Sequence, residues 1–242
     1  MAGSKEEKFY LKVGTAKDLP PGSDRLIYRV LETLPGVLVW GTFGLIIAGA
    51  VYYPAATVTF IIIFDLYWFL KTVYLTWHLR ASFRNLREHL KINWVKKLDG
   101  LNLSGHPLGI RNWRRDIWHL VILPYYQEGD EILRNTVSAL ARAEHPKERM
   151  IVVLSGEKRA GAETEAVGAK ISAEFNKKFG KFLFTIHEDA PGELAGKGAN
   201  ETWAGKRVKE EIIDREEIPY EQIVVSVFDV DTVAPPDYFA KL

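Results

Sequence analysis

Two aspartates separated by one residue follow an apolar stretch in the sequence VVSVFDVDTVAPP, residues 224–236. Two carboxylates at the end of a buried strand repel each other unless a positive group lies between them. In an extended chain, residues i and i+2 point to the same side, so Asp229 and Asp231 can converge on one hard cation. We therefore expect Mg²⁺ or Mn²⁺ here, with water and a diphosphate as further ligands.

A lysine between two glycines stands in the sequence ELAGKGANETWAGK, residues 193–206. Gly196 and Gly198 flank Lys197 directly before a predicted helix. A mobile ammonium group beside the unpaired backbone N–H groups of a helix N-terminus is suited to phosphate. The spacing is not that of a P-loop, because GxxxxGK[ST] is absent. The pattern predicts that Lys197 contacts phosphate, and an ordinary helix start is the alternative.

Two further polar loops follow predicted strands. In PYYQEGDE (124–131), Pro124, Tyr126 and Glu128 stand where aromatic and polar groups could stack on a planar base and hydrogen-bond to it. The alternative is a turn that leads into a helix with an acidic N-terminus, which the helix dipole favours. In SGEKRAG (155–161), Glu157 occupies the corresponding loop after the next strand.

The elements that position these residues are short apolar strands that alternate with helices. The predicted strands are 118–124, 149–155, 181–188 and 222–229, and the predicted helices lie near 130–143, 161–179 and 198–213. This alternation predicts an α/β fold with a parallel sheet covered by helices on both faces. Ligands of such folds bind beyond the carboxyl ends of the strands, where all the candidate residues stand.

The N-terminal part of the chain has a different composition. Residues 36–53 carry no charged side chain, and a second apolar run follows Pro54. Each run is long enough to cross about 30 Å of hydrocarbon at about 1.5 Å per residue, which predicts a hairpin of two transmembrane helices with a very short turn. Cleavage as a signal peptide after AGA (48–50) is the alternative. Asp65 falls inside the second run, so we expect it to be protonated or to pair with helices outside this chain.

A basic helix is predicted directly after the second apolar run. Arg80, Arg84, Arg87 and Lys91 share one helical face, and an apolar stripe lies beside it. Such a helix is expected to lie at the headgroup level against anionic lipid, with its positive charge on the cytoplasmic side. A solvated helix that packs on its own domain is the alternative. The chain ends and the remainder of the chain are then cytoplasmic.

Composition excludes several classes of protein. The 242 residues are 47% hydrophobic and 26% charged, which is ordinary for a folded protein with a sizeable core. A net charge of +1 gives no reason to expect nucleic acid as a partner. The sequence has no cysteine, so oxygen or histidine must hold any metal. The predicted segments are an N-terminal segment (1–34), two transmembrane helices (35–78), an interfacial helix with a linker (79–117) and an α/β domain (118–242).

Taken together, these motifs resemble the family 2 glycosyltransferases of GT-A fold, in particular their membrane-anchored, polysaccharide-synthase-like members. VILPYYQEG looks like the family's P-x-Y-N-E segment, with Gln127 in place of the usual asparagine. GKGAN resembles its GK-x-x-A-x-N segment, and FDVDT resembles its DxD motif. The resemblance covers about residues 118–240 and implies that 118–242 is an incomplete GT-A nucleotide-sugar-binding domain.

The resemblance implies a role for each candidate residue. The implied nucleotide-sugar-binding residues are Pro124, Tyr126, Glu128, Glu157, Lys197 and Asp229, and the implied metal ligands are Asp231 and Asp229. Glu157 stands where the family usually has aspartate in an acidic doublet. The implied activity is transfer of a sugar from a nucleotide-diphosphate sugar to a glycan or lipid acceptor, with a divalent metal.

The family's general base and acceptor-binding half follow the DxD motif by many tens of residues. We therefore expect them beyond Leu242, and we expect the present chain to bind the donor without transferring the sugar. Two other classes remain open. One is a haloacid-dehalogenase-like phosphatase, whose nucleophile is the first aspartate of a DxDxT motif, although that motif opens its domain. The other is a non-catalytic, membrane-anchored protein whose Rossmann-like domain binds a partner.

Overall fold

The computed structural model describes residues 13–188 and 193–242, which form two compact units. One unit extends to Ile92, and the other comprises Asn93–Leu242. The first is a helical hairpin, and the second contains a parallel β-sheet with its helices.

The hairpin consists of helix α1 (Ser23–Tyr52) and helix α2 (Pro54–His89), which are joined by Tyr53 alone. The two helices touch beside the turn, where a Cβ atom on Gly49 would lie 2.5 Å from Oγ1 of Thr57. The very short turn of the predicted hairpin is therefore confirmed. Both helices are long and apolar enough to cross a membrane by length and composition, a criterion that a signal sequence also meets.

The second helix is longer than the sequence predicted. The basic segment expected to start a separate helix at residue 79 continues α2 without a break as far as His89. No proline or glycine interrupts residues 79–89, and leucine, arginine and glutamate are good helix formers. One helix therefore carries both the second apolar run and most of the basic face. Asp65 lies exposed on this helix. That it is protonated or pairs with other helices stays a prediction.

The second unit is built on four parallel strands: β1 (Trp118–Pro124), β2 (Met150–Glu157), β3 (Lys181–His187) and β4 (Ile223–Val227). Their order across the sheet is β3-β2-β1-β4. The helices of this unit are α3 (Trp94–Asp99), α4 (Trp113–Asp116), α5 (Asp130–Ala141), α6 (Ala162–Phe175), α7 (Lys197–Val208) and α8 (Tyr238–Lys241). The predicted α/β fold with a parallel sheet is confirmed.

Each face of the sheet has its own apolar core. Leu123 and Val121 of β1 pack with buried residues of α5 and α6. Leu120 and Ile122 face the other side and pack with residues of α7, including Val208. This alternation follows from the period of two along a strand. Burial of each such side chain stabilises the folded state by about 1.5–3 kcal/mol. The two apolar cores therefore hold the strand ends in place.

The segment between α2 and the sheet is part of the α/β unit rather than a linker. Ile110 and Trp113 are buried, and the indole Nε1 of Trp113 donates to Asp99 Oδ1 at 2.9 Å. Arg114 pairs with the same carboxylate at 2.8 Å. Residues 93–117 belong to the same compact unit as the sheet, whereas the sequence predicted that the domain begins at residue 118.

A pair of buried histidines lies at the opposite end of β1 from the strand's carboxyl end. The rings of His119 and His145 are 4.4 Å apart, and the ring of Phe239 lies 5.0 Å from His119. Burial lowers the pKa of His119 to about 4. Burial also lowers the pKa of His145 to about 3, with a smaller contribution from the neighbouring His119. Both rings are therefore neutral at pH 7.

These histidines make the free energy of unfolding depend on pH. In the unfolded chain, both imidazoles take up a proton near pH 6.5, whereas in the folded chain they do so only near pH 4 and below. Stability therefore falls as the pH drops below about 6.5, by about 1.4 kcal/mol per pH unit for each histidine.

We expect His119→Leu to reduce this pH dependence of the free energy of unfolding, measured in denaturant titrations between pH 7 and pH 5. His106→Gln, at an exposed histidine, is the control. An unchanged slope in His119→Leu would contradict the account.

Candidate ligand-binding cleft

A cleft of about 240 Å³ opens beyond the carboxyl ends of the strands. All seven candidate residues line it: Pro124, Tyr126, Glu128, Glu157, Lys197, Asp229 and Asp231. Tyr125, Asn200 and Val230 line it as well. They come together because the carboxyl ends of parallel strands meet at one edge of the sheet, where α/β proteins bind their ligands.

The two aspartates reach the cleft from a turn, and the prediction that they close a strand is wrong. Strand β4 ends at Val227, and the N–H of Thr232 donates to the carbonyl of Asp229 at 2.8 Å. Val230, between the aspartates, is 2% exposed in the core, and the Thr136 hydroxyl donates to its carbonyl. The buried Val230 anchors the turn, so both aspartates remain exposed at the cleft.

Lys197 is the first residue of α7 and already has an anionic partner. Its ammonium group donates to Oδ1 of Asp229, and Glu201 lies 3.8 Å away. The hydrogen bond with Asp229 is the main cause that raises the pKa of Lys197, so the lysine stays charged. A Cβ atom on Gly196 or Gly198 would meet nothing within 4 Å. The start of α7 is therefore open to a ligand.

Asn200 fixes the position of α7, a role that the sequence did not reveal. Its side chain accepts from Ser155 Oγ at 2.5 Å and donates to the Ser155 carbonyl at 2.9 Å. Asn200 is 1% exposed, so these bonds are made away from water. The first turn of α7, with Lys197, is thereby tied to the end of β2. The sequence signal that could have indicated this role is a polar residue three positions after Lys197.

The two adjacent tyrosines have different environments. Tyr125 is 2% exposed, and its hydroxyl donates to the Thr164 carbonyl at 2.8 Å. Burial raises the pKa of Tyr125. Its ring fits only because two neighbours lack side chains: a Cβ atom on Gly156 would lie 2.8 Å from the ring, and one on Gly168 would lie 2.1 Å from the hydroxyl. Tyr125 is thus part of the wall of the cleft.

Tyr126 keeps 38% of its surface exposed, on a backbone that is held from both sides. Its N–H donates to Oε2 of Glu128 at 2.6 Å, and its carbonyl accepts from the Thr164 hydroxyl at 2.8 Å. Glu128 therefore stabilises the loop itself, as the turn interpretation of this segment expected. Its carboxylate also lines the cleft, so the structure is compatible with both interpretations.

Glu157, the last residue of β2, is 5% exposed. Its Oε2 accepts from Nε of Arg159, and the guanidinium carbon of Arg159 lies 5.0 Å from the centre of the Tyr126 ring. Sequence reasoning did not single out Arg159. Two carboxylates of the cleft are therefore paired with a cation, Asp229 with Lys197 and Glu157 with Arg159.

The exposed carboxylates of Asp229 and Asp231 have the chemistry that a hard cation requires. Their oxygens are the donors that Mg²⁺ and Mn²⁺ prefer. Within residues 13–188 and 193–242, no group of three or more histidine, aspartate or glutamate side chains could hold a metal ion. Asp229 and Asp231 therefore fit a divalent cation only if the ligand contributes oxygens of its own, as a diphosphate does.

These features define an α/β protein with a charged cleft at the carboxyl edge of a parallel sheet. No protein-family model matches the sequence, and no curated protein matches it. Among solved structures, the chain is similar to the mannosyltransferase PcManGT from Pyrobaculum calidifontis in complex with GDP-Man and Mn²⁺, with 16% identity and a TM-score of 0.37. The match covers 61% of this chain and 37% of the mannosyltransferase. A similarity of this size assigns no family.

Proposed function

We propose that the cleft binds a nucleotide-diphosphate sugar together with Mg²⁺ or Mn²⁺, as the donor site of a family 2-like glycosyltransferase. The observation that carries this proposal is the convergence of Lys197, Asp229 and Asp231 in one cleft with Tyr126 and Glu157. An ammonium group at a helix start suits the phosphates, and an exposed aromatic ring suits a base.

Binding of the donor exchanges the partners of the ion pair between Lys197 and Asp229. In the cleft as it stands, each group neutralises the other. A diphosphate would accept hydrogen bonds from Lys197, and a cation held by Asp229 and Asp231 would take the place of the lysine beside Asp229. Every charge then keeps an opposite charge nearby. The exchange makes the metal and the nucleotide depend on each other for binding.

The proposed acceptor is a glycan or a lipid, and the proposed location is a membrane. Helices α1 and α2 would cross it as a hairpin. The basic residues Arg80, Arg84, Arg87 and Lys91 would meet anionic lipid headgroups. The continuity of α2 supports this, because it puts the first arginines on the same helix as the apolar run.

This arrangement predicts a topology that fusions can test. Because the excess of Lys and Arg follows the second helix, the segments before α1 and after α2 should both face the cytoplasm. Reporters fused at residue 20 and residue 110 are expected to give cytoplasmic signals. A signal from the opposite side at either position would exclude the hairpin topology.

The proposed function is tested by titrating the whole chain in detergent with sugar nucleotides, in Mn²⁺ and in chelator. We expect binding that raises the melting temperature and that weakens strongly in chelator, since a ligand of the folded state stabilises it. The phosphatase alternative predicts hydrolysis of a phosphate monoester that is lost in Asp229→Asn. A protein that only binds a partner predicts no response to any sugar nucleotide.

A further inference from the structure

The last residue of β3 is a buried histidine whose ring contacts the segment that leads into α7. His187 is 2% exposed, and its Nε2 lies 3.1 Å from Oε2 of Glu193. A carboxylate oxygen accepts hydrogen bonds, so Nε2 carries the hydrogen of this contact and donates it. Glu193 stands four residues before Lys197, the first residue of α7. The contact therefore ties the entrance of α7 to the end of the sheet.

The histidine is itself held in place by the sheet and by α7. His187 stands opposite Glu157 in the parallel ladder between β2 and β3, and its ring lies 5.5 Å from that of Trp203 on α7. The indole Nε1 of Trp203 donates to Oγ1 of Thr185, on the same strand, at 3.0 Å. The imidazole is thus a fixed donor, and it orients Glu193.

The segment that this contact holds lies on the surface. Residues 193–195 are exposed, so burial does little to fix them. The first N–H groups of a helix lack intrahelical acceptors, and helix starts fray unless the chain that enters them is anchored. Asn200 anchors the first turn of α7 to β2, and the contact with His187 anchors the residues that precede this turn.

We propose that His187 and Glu193 are positioning residues for the diphosphate: their contact holds the start of α7 so that the ammonium group of Lys197 faces the phosphates. The inference rests on the proposed function. The Lys197 side chain is 49% exposed, so its direction depends on the backbone that carries it. Loss of the contact lowers the fraction of chains whose helix start is competent to bind, and the apparent affinity falls by that fraction.

Calorimetry on the whole chain in detergent with Mn²⁺ tests this, first with UDP, CDP, GDP and ADP and then with the nucleoside of the diphosphate that binds most tightly. We expect His187→Leu to weaken that diphosphate about fivefold and to leave the nucleoside unchanged. His187→Gln should restore most of the affinity, because its amide can donate to Glu193. His119→Leu is the matched control, since it removes a similarly buried histidine away from the cleft, and it should keep the diphosphate affinity.

A double-mutant cycle separates positioning from a general effect on the fold. If His187 acts through Lys197, then His187→Leu should cause almost no further loss of diphosphate affinity in Lys197→Ala, where no ammonium group is left to position. Losses that add in the double variant would show that His187 affects the cleft by another route, and they would overturn the assignment.

Glu193→Ala covers the case in which His187→Leu fails to fold, since it removes the same contact from an exposed residue. It should weaken the diphosphate to a similar extent. Unchanged affinity in the folded variants would overturn the assignment, as would equal losses for diphosphate and nucleoside, and either result would leave the proposed function standing. Failure of all four diphosphates to bind the unaltered chain would overturn both.

Discussion

Asp231→Asn is expected to leave the chain folded and to abolish the dependence of sugar-nucleotide affinity on Mn²⁺. Asp231 is exposed, and asparagine has nearly the same shape, so the fold does not need the charge. The proposed cation does need it, because Asp229 and Asp231 are its two proposed carboxylate ligands, and Lys197 already contacts one of them. Without Asp231, affinity measured in Mn²⁺ should fall to the value measured in chelator, a change of tenfold or more for a diphosphate-bridging cation.

Titration of unaltered chain and variant with the same sugar nucleotide, in Mn²⁺ and in chelator, measures this effect. Glu221→Gln is the matched control, because it removes one exposed carboxylate just before β4, at the opposite end of that strand from the cleft. It should retain full dependence on the metal. If Asp231→Asn binds as tightly in Mn²⁺ as the unaltered chain does, Asp231 is not a metal ligand. A large loss of thermal stability in this variant would instead indicate a structural role for the turn.

Lys197→Ala is expected to weaken binding of a nucleoside diphosphate about tenfold or more, with little effect on the free nucleoside. The ammonium group at the start of α7 is suited to the charged phosphates rather than to the uncharged base or ribose. Asp229 loses its partner in this variant, but its side chain is 69% exposed, so water can solvate the carboxylate and the fold should persist.

Calorimetry with the diphosphate and with the nucleoside separates these effects. Lys206→Ala is the control, since it removes an exposed lysine from the same helix, away from the cleft. Lys197→Arg keeps the charge and should retain much of the affinity. Equal losses for diphosphate and nucleoside would show that Lys197 shapes the cleft rather than binding phosphate.

The sequence was enough to predict which residues line the cleft, because this depends only on the order of the strands and loops along the chain. Once 118–124 and the later apolar runs are parallel strands, the loops that follow them must meet at one edge of the sheet. The bounds of β1 agree with the prediction, and those of β2 differ by one residue at its start and by two at its carboxyl end. The buried runs are apolar and bounded by turn residues, which makes their ends visible in the sequence.

Side-chain pairing could not be predicted in the same way. Arg159 reaches Glu157 because of the tight turn after β2, and Asn200 reaches Ser155 because α7 packs against that strand. Both contacts depend on backbone geometry that residue types do not encode individually. The end of β4 was misplaced for a related reason. FDVDT continues the alternation of the strand, but the turn closed by Thr232 stops the ladder first.

The fit of Tyr125 against two glycines constrains how this sequence can vary among relatives. A side chain at Gly168 would collide with the Tyr125 hydroxyl, and one at Gly156 would collide with its ring. Neither glycine can be replaced while the tyrosine stays. A Cβ atom at 168 would also lie 2.3 Å from the Phe184 ring, and one at 156 would lie 2.9 Å from Cδ1 of Ile186. The five positions should therefore change together, so an alignment of relatives would show them as a correlated group, although 61 positions separate the first from the last.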